Sequence, residues 1–250
     1  MQALVTGASS GIGRDMAKIL SEKGYDIILV ARDLEKLNEV KNELKTNAKV
    51  YSVDLSKKEN VIDFCKQIEN EDLDILINNA GFGIFGNFSE TELEKEIDLI
   101  GTNIIALQIL TKFAVNKMKK KDSGYIINVS SVASFAPGPL MATYYASKAY
   151  VTSFSRAISK ELEKEKSKIV VSCLCPGPVD TNFNNVAGVS FSMKPLTSKY
   201  VAKYGIEKML KGKRTILPGF TNKCLHVLSK LGPSTIAMNS VYNNQKRKKK

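Results

Sequence analysis

Short apolar runs that are hydrophobic on both faces alternate with helical patterns along most of this chain, and that alternation constrains the fold more than any other feature. The runs Ile27-Ile28-Leu29-Val30 and Ile75-Leu76-Ile77 have no polar side to turn toward water, as strands of a parallel sheet covered on both faces require. Strands are expected at Ala3–Thr6, Asp26–Ala31, Lys49–Val53, Leu73–Asn78, Gly124–Val129, Ile169–Cys175 and Thr215–Leu217. Helical stretches at Gly13–Lys23, Leu34–Leu44, Glu59–Glu69, Thr91–Lys119 and Tyr144–Lys164 separate most of them. This order predicts an α/β protein with a doubly wound parallel sheet and helices on both faces.

At 250 residues and 43% hydrophobic content, one large domain accounts for the chain. We expect a single domain over residues 1–240, a substrate lid around 182–211, and a basic, disordered tail over 241–250. The lid is suggested by Asn182–Lys199, where Gly188 and Pro195 interrupt the alternation. No window approaches the ~20 consecutive apolar residues of a membrane span. The N-terminus enters a strand at once, with no signal-peptide pattern. Cys65, Cys173, Cys175 and Cys224 have neither zinc nor disulfide spacing, so a reducing, cytoplasmic setting is the default.

Lys246, Arg247, Lys248, Lys249 and Lys250 supply five of the net charge of +12. Such a run is ordinarily a solvated tail. Weak contact with anionic lipid is the alternative, worth about 1 kcal/mol per basic residue near the surface. The chain has no aromatic-interleaved basic groove and no zinc-finger spacing, so nucleic acid is not an expected partner.

The first strand runs straight into Thr6-Gly7-Ala8-Ser9-Ser10-Gly11-Ile12-Gly13 and then a helix. Glycines let the backbone turn sharply and approach a ligand closely. A helix N-terminus offers free N–H groups and a positive dipole end to a pyrophosphate. Glycine-rich turns also serve as plain turns, but one lying between a first strand and a first helix suits a dinucleotide. Farther on, Tyr144 and Lys148 stand four residues apart, on one face of a helix. A phenol titrates near pH ~10, and a cation within about 4–6 Å favours its ionised form. Alone, the pair reads more readily as a solvated surface contact.

Taken together, several motifs resemble the short-chain dehydrogenase/reductase family, in its single-domain branch. They are Thr-Gly-x3-Gly-x-Gly at the first turn, Asp54 after strand three, Asn78-Asn79-Ala80-Gly81 after strand four, and Asn103 mid-helix. Ser131 lies thirteen residues before Tyr144, and Pro176-Gly177 and Thr181 follow strand six. The resemblance spans residues 2–218 and implies a Rossmann fold. It implies Tyr144 as general acid and base, with Lys148 holding the nicotinamide ribose and lowering the Tyr144 pKa. Ser131 then bonds the substrate carbonyl oxygen, and Asn103 holds a water linking Lys148 to solvent. The nicotinamide supplies the hydride, and no metal is implied. Further cofactor contacts implied are Gly7, Ser9, Ser10, Gly11, Ile12, Gly13, Arg32, Asp54, Leu55, Asn79, Ala80, Gly81, Pro176, Gly177, Val179 and Thr181, beside Tyr144 and Lys148 themselves.

Some positions have rivals. Ser130 and Ser134 flank Ser131, and Tyr145 is three residues from Lys148; the family spacing selects Ser131 and Tyr144. His226, the only histidine, reads as a packed or surface residue. Ala31 occupies the place of the acid in the family's NAD enzymes, and Arg32 follows it. A cation there suits a 2′-phosphate, so NADP(H) is the expected cofactor. Asp33 either opposes this or caps the helix that begins at Leu34.

The expected substrate is an apolar small-molecule ketone or aldehyde, or the matching alcohol. Phe82-Gly83, Tyr145 and the segment bearing Phe183, Val186, Val189, Phe191 and Met193 line it or pack on the domain. Hydroxysteroid dehydrogenase and 3-oxoacyl reductase are alternatives. Arg214–Gly219 replaces the Asp-Gly-Gly stretch common in carrier-protein reductases. Other classes considered are a non-catalytic cofactor-binding regulator and a membrane-surface protein. The family implies a homodimer or homotetramer formed through the two long helices. Phe220, Leu225, Leu228 and Leu231 form a further apolar stripe for core or interface.

Overall fold

A computed structural model of the chain describes residues 1–183, 195–220, 222–223 and 234–246. Seven strands form one sheet: β1 (Gln2–Thr6), β2 (Asp26–Ala31), β3 (Ala48–Ser52), β4 (Ile75–Asn78), β5 (Gly124–Val129), β6 (Ile169–Leu174) and β9 (Thr215–Ile216). Their order is β3-β2-β1-β4-β5-β6-β9, with every neighbouring pair parallel. The short pair β7 (Val179–Asp180) and β8 (Leu196–Thr197) forms a separate small sheet. The strand order reverses between β1 and β4, which opens a crevice at their carboxyl ends.

Each doubly apolar strand feeds two cores. Ala3, Val5, Ile27 and Leu29 pack with Met16, Ala17 and Leu20 of helix α1 (Gly11–Glu22) on one face. Leu4, Ile28 and Val30 pack with Phe64 of α3 (Lys58–Gln67) and Leu110 and Met118 of α5 (Leu107–Lys119) on the other. Burial of each such large side chain stabilises the fold by roughly 1.5–3 kcal/mol. Further helices among the described residues are α2 (Leu34–Asn42), α4 (Leu93–Ile100), α6 (Ala142–Lys164), α7 (Ser198–Leu210) and α8 (Ser234–Lys246).

Four expectations need correction. The helix expected over 91–119 is α4 and α5 joined by a π-helical segment, Gly101–Ala106. Gly101 packs against the loop after β3, where an added Cβ would lie 2.2 Å from the Ser56 carbonyl oxygen. The stretch Leu93–Lys119 is also long and apolar enough to cross a membrane by length and composition. Here it is a core helix, with Leu99, Leu107 and Leu110 buried and with Asn103 and Thr111 buried and hydrogen-bonded.

The second half of the expected lid is α7. Val201, Ala202, Ile206 and Met209 are fully buried in the β1–α1 core, and the Thr197 hydroxyl caps the helix by accepting from the Tyr200 N–H at 3.2 Å. Residues 241–246 continue α8 rather than starting a free tail, and Gln245 is buried. The rest of the tail, residues 247–250, lies outside the described residues, as do Val186, Val189, Phe191, Met193, Cys224, Leu225, His226, Leu228 and Leu231.

Candidate active site

The glycine-rich turn is stitched to the end of β4 by two polar side chains. The Thr6 hydroxyl donates to the Ile77 carbonyl at 3.3 Å and accepts from the Asn79 and Ala80 N–H groups at 3.0 and 3.1 Å. The Asn79 amide donates back to the Thr6 and Gly7 carbonyls at 3.0 and 3.2 Å. Gly7 and Gly11 have φ of +62° and +54°, a region that other residues enter only with strain. Gly13 works differently. It does not line the cavity, and a Cβ there would sit 2.3 Å from the Gly7 carbonyl oxygen. Its bareness lets α1 close onto the turn. Ser10, at the N-cap of α1, makes no side-chain capping bond, and no acid lies in the first turn. The helix therefore presents uncapped N–H groups and its positive end to the crevice.

That crevice is a cavity of about 830 Å³. Except for Gly13, every residue expected at the cofactor lines it, from Gly7, Ser9, Ser10, Gly11 and Ile12 through Asp54, Leu55, Asn79, Ala80 and Gly81 to Pro176, Gly177, Val179 and Thr181. Arg32 lines it beyond β2, joined by Lys36, a cation that sequence reasoning missed. The Asp33 carboxylate accepts from the Lys36 backbone N–H at 3.0 Å and pairs with its ammonium at 2.7 Å. Asp33 is thus the N-cap of α2, and those bonds hold its carboxyl below the usual range.

Helix α6 carries Tyr144 and Lys148 and is fastened to the sheet by buried hydroxyls and amides. Ser130 donates to the Lys148 carbonyl at 2.9 Å and bonds Thr152 at 2.7 Å. Asn128 donates to Ser155 at 3.0 Å and accepts from Asn78 at 2.9 Å across β4 and β5. Asn103, turned by the π segment, donates to Ser147 at 3.0 Å. Ser130 and Ser131 both line the cavity, with Ser130 bonded to α6, while Ser134 does not line it. The Ser131 hydroxyl accepts from the Ala133 N–H at 3.1 Å and lies within hydrogen-bonding reach of Tyr144.

Tyr144 and Lys148 are both buried in the cavity wall. Burial pushes the Tyr144 phenol up to about 12, partly offset by its hydrogen bond with Ser131. Burial likewise pushes Lys148 down to about 8. Lys148, expected to lower the Tyr144 phenol, is not among the groups that shift it here; desolvation dominates. The Asn103 side chain is held by the neighbouring backbone. Its amide exchanges bonds with the Phe82 backbone at 3.1 and 3.0 Å, so both ends are occupied by protein. It remains close to Lys148, since a Cβ on Gly81 would lie 2.9 Å from the Asn103 Oδ1 and 3.4 Å from the Lys148 Nζ.

The family model for short chain dehydrogenases matches residues 1–188. The chain belongs to that family. Among its relatives is an uncharacterised oxidoreductase of Staphylococcus epidermidis, 37% identical over 181 residues, covering 72% of this chain and 78% of that one. A very-long-chain 3-oxoacyl-CoA reductase of Anas platyrhynchos is 34% identical over 211 residues, covering 80% of this chain and 66% of that one. The structure of a short-chain dehydrogenase from Sphingobium yanoikuyae in complex with NADPH superposes with a TM-score of 0.81 at 28% identity, covering 88% of each chain. Beyond the family's motifs, this short-chain dehydrogenase recruits Thr102, Asn222 and Gln245 to its cavity wall. Thr102 sits beside Asn103 in the π segment. Asn222 and Gln245 come from the C-terminal region, where no sequence signal marks them.

Proposed function

We propose that this short-chain dehydrogenase is an NADP(H)-dependent oxidoreductase that interconverts a ketone or aldehyde and the corresponding alcohol, with Tyr144 as the proton donor and acceptor. One observation carries the reading: Ser131, Tyr144 and Lys148 converge on the same cavity that begins at the uncapped end of α1.

The residues present fit the cofactor. The first turn of α1, with Ser9, Ser10 and Gly11, takes the pyrophosphate. Arg32 and Lys36 would take the 2′-phosphate, with Ala31 standing where an acid would repel it. Asp54 and Leu55 line the adenine side, and Lys148 reaches the nicotinamide ribose. The nicotinamide, when bound, supplies or accepts the hydride. A phenol held near 12 is fully protonated at neutral pH, so Tyr144 enters reduction as an acid. Ser131 donates to the substrate oxygen as it gains charge. Asn103 acts by holding Phe82 and Ser147 in place beside Lys148, not through a free amide.

Phe82, Met141, Tyr145 and Phe183 give the substrate end an apolar wall, which favours a hydrophobic carbonyl compound. The 3-oxoacyl thioesters are the second reading, favoured by the reductase relative at 34% identity. We also infer a homodimer or homotetramer through α4, which exposes Leu93, Ile97 and Ile100. The deciding experiment is NADPH oxidation with aliphatic ketones, aromatic aldehydes, steroids and 3-oxoacyl thioesters. Tyr144→Phe is expected to lower kcat on the best substrate by at least about 100-fold. Retention of most of the activity would defeat the proton-transfer assignment.

A further inference from the structure

We propose that Glu96, which does not line the cavity, is a positioning residue for the reaction. Through Thr143 it holds the first turn of α6 and so keeps the Tyr144 phenol against Ser131 and the substrate oxygen. This rests on the carbonyl-reductase reading above and adds to it a residue that touches neither substrate nor cofactor.

Tyr144 lies in the first turn of α6, three residues after the N-cap, Met141. The amides of a first helical turn have no partner inside the helix, so its geometry depends on what grips it from outside. Met141 provides no side-chain cap, and α6 has no acid of its own in that turn. The backbone leading into the turn is strained. Leu140 has φ +66°, a left-handed conformation that a branched side chain keeps only where its surroundings impose it. Its carbonyl accepts from the Gly86 N–H at 2.9 Å. The body of α6 is gripped farther along, by Ser130 at Lys148 and Thr152 and by Asn128 at Ser155. Those bonds fix Lys148 and leave the first turn to other contacts.

Glu96 supplies that grip. It is buried on α4, and both carboxylate oxygens accept from hydroxyls: Oε2 from Thr143 at 2.9 Å and Oε1 from Thr91 at 2.6 Å. Thr143 immediately precedes Tyr144. Hydrogen bonds to a carboxylate are shorter and stronger than neutral ones, and a carboxylate at a helix N-terminus meets the positive end of the dipole. One turn on, Leu99 is fully buried in a cluster with Tyr144, Met141 and Ala133. That apolar contact docks α4 near α6 without needing a carboxylate, whose burial is costly unless its bonds are made. What the bridge adds is direction: it sets the height and rotation of the turn that bears Tyr144. Thr91 ties the same carboxylate to the loop that runs on from Phe82, so the acid/base and one substrate wall share an anchor.

The test compares the full-length wild type with Glu96→Ala, Thr143→Val, their double variant and Thr143→Ser, on the best ketone or aldehyde found for the enzyme. Turnover is expressed per NADPH-binding site, counted by titration, so that loss of folded protein does not register as lost catalysis. Glu96→Ala and Thr143→Val are each expected to lower kcat per site by about tenfold or more, with KM for NADPH changed by less than about twofold. The double variant is expected to be no worse than Glu96→Ala alone, because both changes break the same bond. Thr143→Ser keeps the hydroxyl and is expected to recover most of the loss. With no substrate present, amide hydrogen exchange is expected to quicken over residues 141–147 in the two single variants and to stay unchanged over 152–162. Wild-type kcat per site in both single variants overturns the proposal, and a fall in NADPH sites alone would then mark a merely structural role. Unchanged exchange over 141–147 overturns it as well. Thr143→Val removes one hydroxyl and decides the question even if Glu96→Ala fails to fold. A wild type that binds NADPH but turns over no carbonyl compound defeats the reductase reading and this role with it.

Discussion

The Lys148 ammonium lies 5.9 Å from the centre of the Tyr144 ring and donates to the Val129 carbonyl at 2.9 Å. It is poised over the face of the phenol rather than against its oxygen, and burial governs both groups. This has a measurable consequence. Lys148 moves from an ordinary 10.5 down to about 8 in the folded protein. Between those values the folded state binds fewer protons than the unfolded one, so stability rises with pH across that window. Tyr144, raised from 10.0 to about 12, acts in the opposite sense: above pH 10 the folded state holds the extra proton, and stability falls as pH rises toward 12. Urea unfolding at pH 7.5 and 9.5 is expected to show wild type gaining on Lys148→Met by about 2 kcal/mol. Parallel behaviour of the two proteins would contradict a desolvated Lys148.

Cofactor choice depends on Arg32 and Lys36. Each charge-assisted bond to a phosphate contributes about 1.5–3 kcal/mol. Arg32→Ala is expected to raise KM for NADPH at least about tenfold while leaving KM for NADH little changed, and Lys36→Ala to do the same more weakly. Lys36 shares its ammonium with Asp33, which explains the smaller effect. An equal change with both cofactors would sink the assignment.

Gly13→Ala separates packing from ligand contact. The added methyl would meet the Gly7 carbonyl oxygen at 2.3 Å and the Asn79 amide nitrogen at 2.5 Å, forcing α1 off the turn. We expect a loss of roughly 1–3 kcal/mol in unfolding free energy, the usual cost of overpacking, accompanied by weaker NADPH binding. A variant with weakened binding but unchanged stability would mean that Gly13 touches the cofactor instead.

The sheet was legible because its strands are apolar on both faces, and Ile27, Ile28, Leu29 and Val30 are each buried against one core or the other. The position of Tyr144, Lys148 and Ser131 was legible from spacing. The π segment was not, because it answers to a tertiary contact between Gly101 and Ser56. Helix α7 carries an apolar period in Val201, Ala202, Ile206 and Met209, but the interruption before it at Gly188 and Pro195 drew the reading toward a lid. Gln245 was invisible for the plainest reason. Its hydrogen-bond partner among the described residues, Tyr145, is 100 residues away, and a lysine-rich ending looks solvated when read locally.

The exposed face of α4 makes the oligomer testable. Leu93, Ile97 and Ile100 are 69%, 46% and 38% exposed, and they give a helix of otherwise charged character one apolar side. Beside this surface, Tyr150 of α6 donates to Gln108 of α5 at 2.6 Å and stacks on Phe154 at 5.4 Å, so the two long helices are already tied into one rigid face. Apolar side chains of this size, when shielded by a second copy, contribute about 1.5–3 kcal/mol each if fully buried. Light scattering of the wild type at micromolar concentration is expected to give a mass of two or four chains, and Leu93→Glu combined with Ile97→Glu to give one. Because both residues point away from the core, the double variant should keep the wild-type unfolding midpoint of a single chain. A monomeric wild type, or a double variant that stays associated, would place the interface elsewhere or remove it.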